Sequence, residues 1–472
     1  MAAEHGAGRL LLLVAITILL TGCVASRQAV PVSTLSSTGP ADSPPAGSAP
    51  PTVQGSAATP LPTGPSAAAF VRAGDGLAEV GRWNEAAAAY TKAIELDPGD
   101  ASSYYARGRA RFEQGRLDLA LADCARAIQL DPGDASMYLG RGNVYYELGT
   151  YNLALADYSR AIELDPANAA AFHNRASVYH GLGKAALALA DYTRAIELDP
   201  ANAAALGNRA SVYQDLGKYE LALVDYTRAI ELGPMDARAY AARGNLYFQL
   251  GRYEQAADDQ TRAIDLDEDD PDEYINRGHA YVQLGRLELA TADFSTAIGL
   301  DPSNADVFYY RGSTFDQLGR LELAISDLTR AVELDPTHAR AFGSRGSAYA
   351  RLNRLELAIA DYTAMIELVP ADADALSQRG LLYVRLGELD LAMADYTRVT
   401  QILPTDPWAW ALRGALRARC GDTAGGAEDF DRALSQARDP DAIRSIVELR
   451  CSVGLGCDGG PDEDLPLEPS ET

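Results

Sequence analysis

The chain has 472 residues, 47% of them apolar, and a formal charge of −25. So acidic a body excludes binding to a phosphate backbone, which needs a basic stripe, and no nucleic-acid partner is expected. The apolar share is ample for a buried core, and tyrosine dominates the aromatics, 24 against 9 Phe and 3 Trp.

At the N-terminus Arg9 precedes an apolar stretch from Leu10 to Leu20. That is short for a bilayer span and typical of a signal-peptide core. The stretch ends Leu20-Thr21-Gly22-Cys23, which resembles the lipobox of bacterial lipoproteins. The resemblance implies cleavage of residues 1–22 as a signal peptide and acylation of Cys23. Two or more acyl chains anchor stably where one is marginal. The expected location is the cell envelope, lipid-anchored on the extracytoplasmic side of a bacterial membrane. Residues 23–66 follow, rich in Pro, Ser and Ala and almost uncharged. They cannot bury enough surface to fold and are expected to be a disordered tether.

From residue 67 a 34-residue period takes over. Pro98, Pro132, Pro166, Pro200 and Pro234 mark it, as do Pro302, Pro336, Pro370 and Pro404; only Glu268 misses the beat. Eleven units fill residues 67–440 without a gap. A fixed period of this length is one supersecondary unit copied many times. Numbering each unit from 1, apolar residues recur at helical spacing in two blocks, A and B. Position 15, between them, is Gly in ten units and Asn353 in the ninth, the residues that best tolerate a left-handed backbone. Position 8 is Gly or Ala throughout, and position 20 is Ala in ten units and Gly426 in the last, so the two helices can approach closely. Position 32 is the recurring Pro, which stops helix B.

A large residue at 4, small at 8, Tyr at 11, Ala at 20, aromatic at 24, Ala at 27 and Pro at 32 together resemble the tetratricopeptide repeat. The resemblance implies an all-α solenoid of about eleven helix-turn-helix units wound into a right-handed superhelix. Two positions depart from that family. Position 7, usually aliphatic there, is Arg in ten units, from Arg107 to Arg413; position 23, often aromatic, is Asp in the same ten, from Asp123 to Asp429. In the first unit both change together, to Ala73 and Ala89. The coincidence predicts an ion pair between helices A and B, repeated like rungs, for which a guanidinium fork suits a partly buried carboxylate. Residues 441–457 read as a capping helix with Ile443, Ile446 and Val447 on one stripe, and residues 458–472 as a disordered acidic tail.

Catalytic chemistry is not legible. His173 and His180 stand two helical turns apart, about 10 Å, too far to share a metal. The Gly181–Lys184 segment lacks a P-loop's spacing and its Ser/Thr. The acidic stretch from Asp265 to Glu273 lacks the Gly and the closing Glu of a calcium loop. No enzyme activity, cofactor or metal is expected. Cys124 takes an aromatic core position and is expected to be buried and inert; Cys420, Cys451 and Cys457 cluster near the C-terminus, where a disulfide between some pair would staple a fraying end.

The tetratricopeptide resemblance places positions 2, 5, 6, 9, 12 and 13 of helix A on a concave groove. Positions 6 and 9 supply Asn143, Asn174, Asn208, Asn245 and Asn276, and amides can both donate to and accept from a peptide backbone. Tyr105, Tyr146, His173, His180 and Tyr309 are expected on the same wall. Position 5 holds no Lys, which separates this groove from the chaperone-tail clamps of the family. The function that follows is a non-enzymatic scaffold in the cell envelope that binds a protein or peptide, in assembly of a pilus, secretion or export apparatus. A receptor for a glycan or cell-wall peptide, and a non-catalytic subunit of an envelope enzyme, are the alternatives. The oligomeric state is open.

Overall fold

The computed structural model describes residues 66–456. The signal peptide, Cys23, the tether up to Pro65, Cys457 and the acidic tail lie outside the described residues. Those described form 23 α-helices and no strand. They divide into two bodies, residues 66–269 and residues 270–456. Each is a stack of antiparallel helix pairs. The third unit is representative: helix A spans Ala135–Glu147 and helix B spans Tyr151–Leu164.

Local chemistry sets these boundaries. Position 34 caps the next helix A: Asn168 Oδ1 accepts from the Ala171 amide at 3.0 Å, and Asn202 does the same for Ala205 at 2.9 Å. Such a cap satisfies one of the orphan donors at a helix start. His338 takes this role through Nδ1, 3.2 Å from the Ala341 amide, while its Nε2 lies 3.1 Å from Asp306. The A–B turn needs a left-handed residue; Gly149 has φ 67° and Asn353 has φ 60°. Helix B then stops at Leu164, with Asp165 Oδ1 holding the Ala167 amide at 3.0 Å as the chain turns through Pro166. At the missed beat helix B still ends on schedule, at Leu266, and Asp270 caps the next helix, which starts with Pro271. The phase therefore survives without its proline. After the last unit a helix runs from Pro440 to Ser452, where the capping element is expected. Ile446 and Leu449 are fully buried against Trp410 and Phe430.

Small and large residues interlock between A and B. The alanines at positions 20 and 27 are wholly buried in most units, and the ring at position 24 lies on the residue at position 8. A Cβ on Gly142 would stand 2.6 Å from the Tyr158 ring, so only Gly admits that approach. Burying a side chain of this size contributes about 1.5–3 kcal/mol. Cys124 occupies the same site over Gly108; burial pushes its thiol up to about 12, which leaves it inert as expected. Cys420 is free and exposed, and Cys451 is disulfide-bonded.

All ten Arg–Asp rungs form. Each is a two-pronged fork: Arg141 Nε and Nη2 both reach Asp157 at 2.7 Å, and Arg413 reaches Asp429 at 2.8 and 2.7 Å. The aspartates are 3–7% exposed. Hydrogen bonding to Asp157 holds the Arg141 guanidinium above its ordinary range. Two further contacts were not anticipated from sequence. Rings at positions 4 and 11 flank the guanidinium, as Tyr138 and Tyr145 do at 5.7 and 5.8 Å from Arg141. Seven of the arginines also donate through Nη1 to a Ser or Thr hydroxyl at position 25 of the preceding unit, such as Arg345 to Thr329 at 3.2 Å. Each rung thus ties two helices within a unit, and those with the hydroxyl also tie one unit to the last. In units two and eleven position 11 is itself Arg, and Arg111 and Arg417 join Asp123 and Asp429 at 2.7 and 3.4 Å.

One unit breaks the core rule. Gln260 stands at position 24, 1% exposed, with Nε2 on Asn245 at 2.8 Å. Its Oε1 is buried and has no partner among the described residues. Gly244 and Asn245 repeat the surroundings that Gly142 and Asn143 give Tyr158, so a tyrosine fits there. Gln260→Tyr is expected to stabilise the unit by about 1–3 kcal/mol, since it removes a stranded acceptor and adds buried apolar area. Amide exchange should slow in helix Tyr253–Leu266 and stay constant in the remote helix Ala169–Gly181. Equal exchange in both would count against this account.

For the rungs, Arg311→Met or Asp327→Leu alone should cost about 3–5 kcal/mol, because a buried charge is stranded; the double variant should recover most of that loss. Chemical denaturation of the four proteins measures the coupling, and additive losses would mean the two side chains do not act as a pair.

Candidate functional site: an amide-lined cleft on helix A

Helix A presents its polar positions along one side, and helices A of neighbouring units touch, so these positions meet across units. His180 Nε2 lies 2.8 Å from Asp215, Gln214 donates to Gln249 at 2.9 Å, and Arg351 reaches Asp316 at 2.6 Å. In body 66–269 the same positions open a cleft of about 270 Å³. Phe112, Asn143, Tyr146, Glu147, Tyr158, Asn174 and Ser177 line it.

Its polar order comes from position 24. The Tyr158 ring is buried against Gly142, which leaves its hydroxyl at the edge of the core, donating to Asn143 Oδ1 at 2.9 Å. Asn174 Nδ2 donates to the same oxygen at 2.8 Å. The two donors occupy the Asn143 carbonyl and leave its Nδ2 to other partners. Among the described residues nothing takes Asn143 Nδ2 or Asn174 Oδ1. The cleft therefore offers one amide donor and one amide acceptor, the two kinds of group a peptide unit pairs with. Burial raises the Tyr158 phenol well above the usual range, so it stays protonated and keeps donating. Ser177 repeats the arrangement one unit on, 2.9 Å from the Tyr192 hydroxyl.

The other residues named from sequence divide. Asn208 is half-buried, its Nδ2 3.5 Å from His173 Nε2, and His173 packs edge-on to Tyr192 at 5.6 Å. His173 Nδ1 is buried without a partner among the described residues, and burial pushes its pKa down. Asn245 is exposed but accepts from Gln260. Tyr146 is 39% exposed at the mouth of the cleft. Tyr105 is turned to packing, its ring lying over Gly140 of the next helix A. In body 270–456, Tyr309 packs on Tyr310 and His338 at 5.6 and 4.9 Å, and Asn276 is half-buried on helix Pro271–Gln283. The cleft gathers Asn143, Tyr146 and Asn174 from the residues read in the sequence. It adds Phe112, Glu147, Tyr158 and Ser177. Tyr158 and Ser177 carried a signal: a tyrosine rather than phenylalanine at 24, facing a polar position 9.

A stack of helix pairs with polar positions along helix A defines a helical-repeat protein. Family profiles described as tetratricopeptide repeat match residues 71–135, 275–339, 191–224, 169–202 and 373–406. One described as TPR repeat matches 142–183, 211–251, 244–285 and 346–387. The chain belongs to the tetratricopeptide-repeat family. No curated protein matches it. Among solved structures it is similar to YrrB, whose crystal structure is described as a TPR protein with an unusual peptide-binding site. That likeness has 27% identity, covers 39% of this chain and 95% of that one, and has a TM-score of 0.36. It is also similar to Pseudomonas aeruginosa pilF, at 20% identity over 43% of this chain and 92% of that chain, TM-score 0.39. A tetratricopeptide repeat protein from Parabacteroides merdae shares 21% identity over 53% and 98%, TM-score 0.39.

His173 gives the site a pH signature. Its folded pKa lies below the ordinary value, so the fold prefers the neutral ring; the unfolded chain binds the extra proton first. Stability tied to His173 is present above about pH 6.5 and is lost as the pH falls below it. Thermal melts of wild type and His173→Phe, from about pH 7.5 to about pH 5, should show the wild type losing ground steadily. Parallel curves would refute the assignment.

Proposed function

We propose that this protein is a non-enzymatic interaction scaffold that captures a protein or peptide on the helix A side of its repeats. The carrying observation is the pair of unused amide groups, Asn143 Nδ2 and Asn174 Oδ1, held in place by Tyr158 at the cleft. A donor and an acceptor pair with the backbone of an extended chain, whatever its sequence, and Tyr146 and Phe112 supply apolar contact beside them. Family membership supports the same reading, since tetratricopeptide repeats mediate contacts between proteins. Residues Leu20 to Cys23 support lipid anchoring at Cys23 on the extracytoplasmic side of a bacterial membrane. The partner is then an envelope protein, in assembly of a pilus, a secretion machine or an export apparatus.

Crosslinking in intact cells followed by mass spectrometry tests the reading. A recurrent protein partner is expected, with recovery falling roughly tenfold in the Asn143→Ala, Asn174→Ala variant, about the loss of one or two desolvated hydrogen bonds. Undiminished capture would reject the cleft, and binding to purified cell-wall sacculi instead would favour a glycan receptor. Separately, Cys23→Ser should release the protein from membranes; a variant still processed and membrane-bound would sink the anchor.

A further inference from the structure

Helix A ends on a carboxylate in four units of body 66–269, at Glu79, Glu113, Glu147 and Asp215. A helix C-terminus is the negative end of the helix dipole and favours a cation, so the fold gains nothing from a carboxylate there. Body 270–456 follows the usual preference, with Arg351, Arg385 and Arg419 in the last turns. Asp215 is compensated by His180 at 2.8 Å. Glu147 is not: among the described residues no ion pair forms at it. The turn beyond it is unusual too. Position 16 is Arg or Lys in eight of the first nine units, and in the third it is Thr150.

Glu147 lines the cleft, exposed at its rim beside Phe112 and Tyr146. Of the seven lining residues it alone carries a charge. Tyr146 is braced by Tyr151, their ring centroids 5.8 Å apart. The carboxylate is felt inside the cleft: after burial and Tyr146, it is Glu147 that raises the Tyr158 phenol. Arg109, on the preceding helix A, is exposed and does not line the cleft. Two rings and an uncompensated carboxylate at one opening attract a cation, through the ring quadrupoles and through charge.

We propose that the cleft selects its peptide by a basic side chain, the backbone pairing with Asn143 and Asn174 while an arginine or lysine lies against Phe112 and Tyr146 and meets Glu147. This rests on the reading of the cleft as a peptide site and adds the partner class, a segment carrying Arg or Lys. Arginine suits the opening better, since its plane stacks on a ring while its fork takes a carboxylate. An acidic segment is turned away by the same charge.

The charge of −25 draws any basic peptide weakly to the whole chain, so bare affinity decides nothing. Coupling between one carboxylate and one cation does. Short peptides are selected from a random phage-displayed library on the full chain carrying Cys23→Ser. The tightest binder that is lost on Asn143→Ala with Asn174→Ala is then synthesised, with its Arg or Lys intact or replaced by uncharged citrulline or acetyl-lysine. Titration calorimetry should show Glu147→Gln weakening the charged peptide roughly tenfold, and the uncharged peptide losing the same factor on wild type. Both changes together should cost no more than one, and the charged contact should weaken as salt is added. Glu356→Gln, an exposed carboxylate on helix Leu355–Leu368, should leave affinity within about twofold. Melting of Glu147→Gln should match or exceed wild type, because a charge leaves the wrong end of a helix. Selected binders without a basic residue, or additive losses, would overturn the proposal and leave the peptide site standing. If no binder depends on Asn143 and Asn174, both fall.

Discussion

Everything in this array depends on a buried carboxylate. Ten aspartates sit almost out of water, and a lone charge there would be expensive to hold. The guanidinium fork from helix A makes every site tolerable, helped in most units by rings at positions 4 and 11 and by a hydroxyl from the preceding helix B. The fork alone joins two helices, so helix A can neither slide along helix B nor turn about its axis without stranding the charge. Register between the helices of a unit is thus enforced electrostatically, where the family commonly relies on aliphatic and aromatic packing at the same two positions. The uniform 34-residue length follows: an inserted residue would pull one member of a rung away from the other.

That constraint frees the rest of helix A. With positions 7 and 8 committed to the A–B interface and position 11 to the guanidinium, the polar positions 5, 6, 9, 12 and 13 are left on one side, where they meet the next unit. Several are used up there, as in the His180–Asp215 and Gln214–Gln249 contacts. At the cleft Tyr158 and Asn174 both address one carbonyl oxygen of Asn143, which leaves its remaining amide group to other partners. The array thus makes binding geometry from core packing, through the phenol that spans from the core to the groove. Where the phenol is missing the consequence is local: Leu328 leaves the Ser313 hydroxyl buried and unpaired among the described residues, and Gln260 leaves its own carbonyl so.

Most of the fold was legible because its signals are local. Left-handed turns need Gly or Asn, helices stop at Pro, and small residues recur where helices touch; each shows in a single unit and again in the others. The rungs were legible for a different reason, the joint change to Ala73 and Ala89 in the first unit. The groove was harder. Tyr105 and Tyr309 stand at position 5, one residue before the position of Asn174, yet lie against Gly140 and against Tyr310 and His338. Position in a repeat says which side a residue leaves from, and the neighbouring unit decides where it lands.

By itself the sequence determined the period, the two helices per unit, their turns and the pairing of Arg with Asp, because each rests on covalent geometry or on charge compensation within 34 residues. Only the tertiary structure decided which amides are spent on neighbours and which remain for a ligand, since that depends on contacts between units.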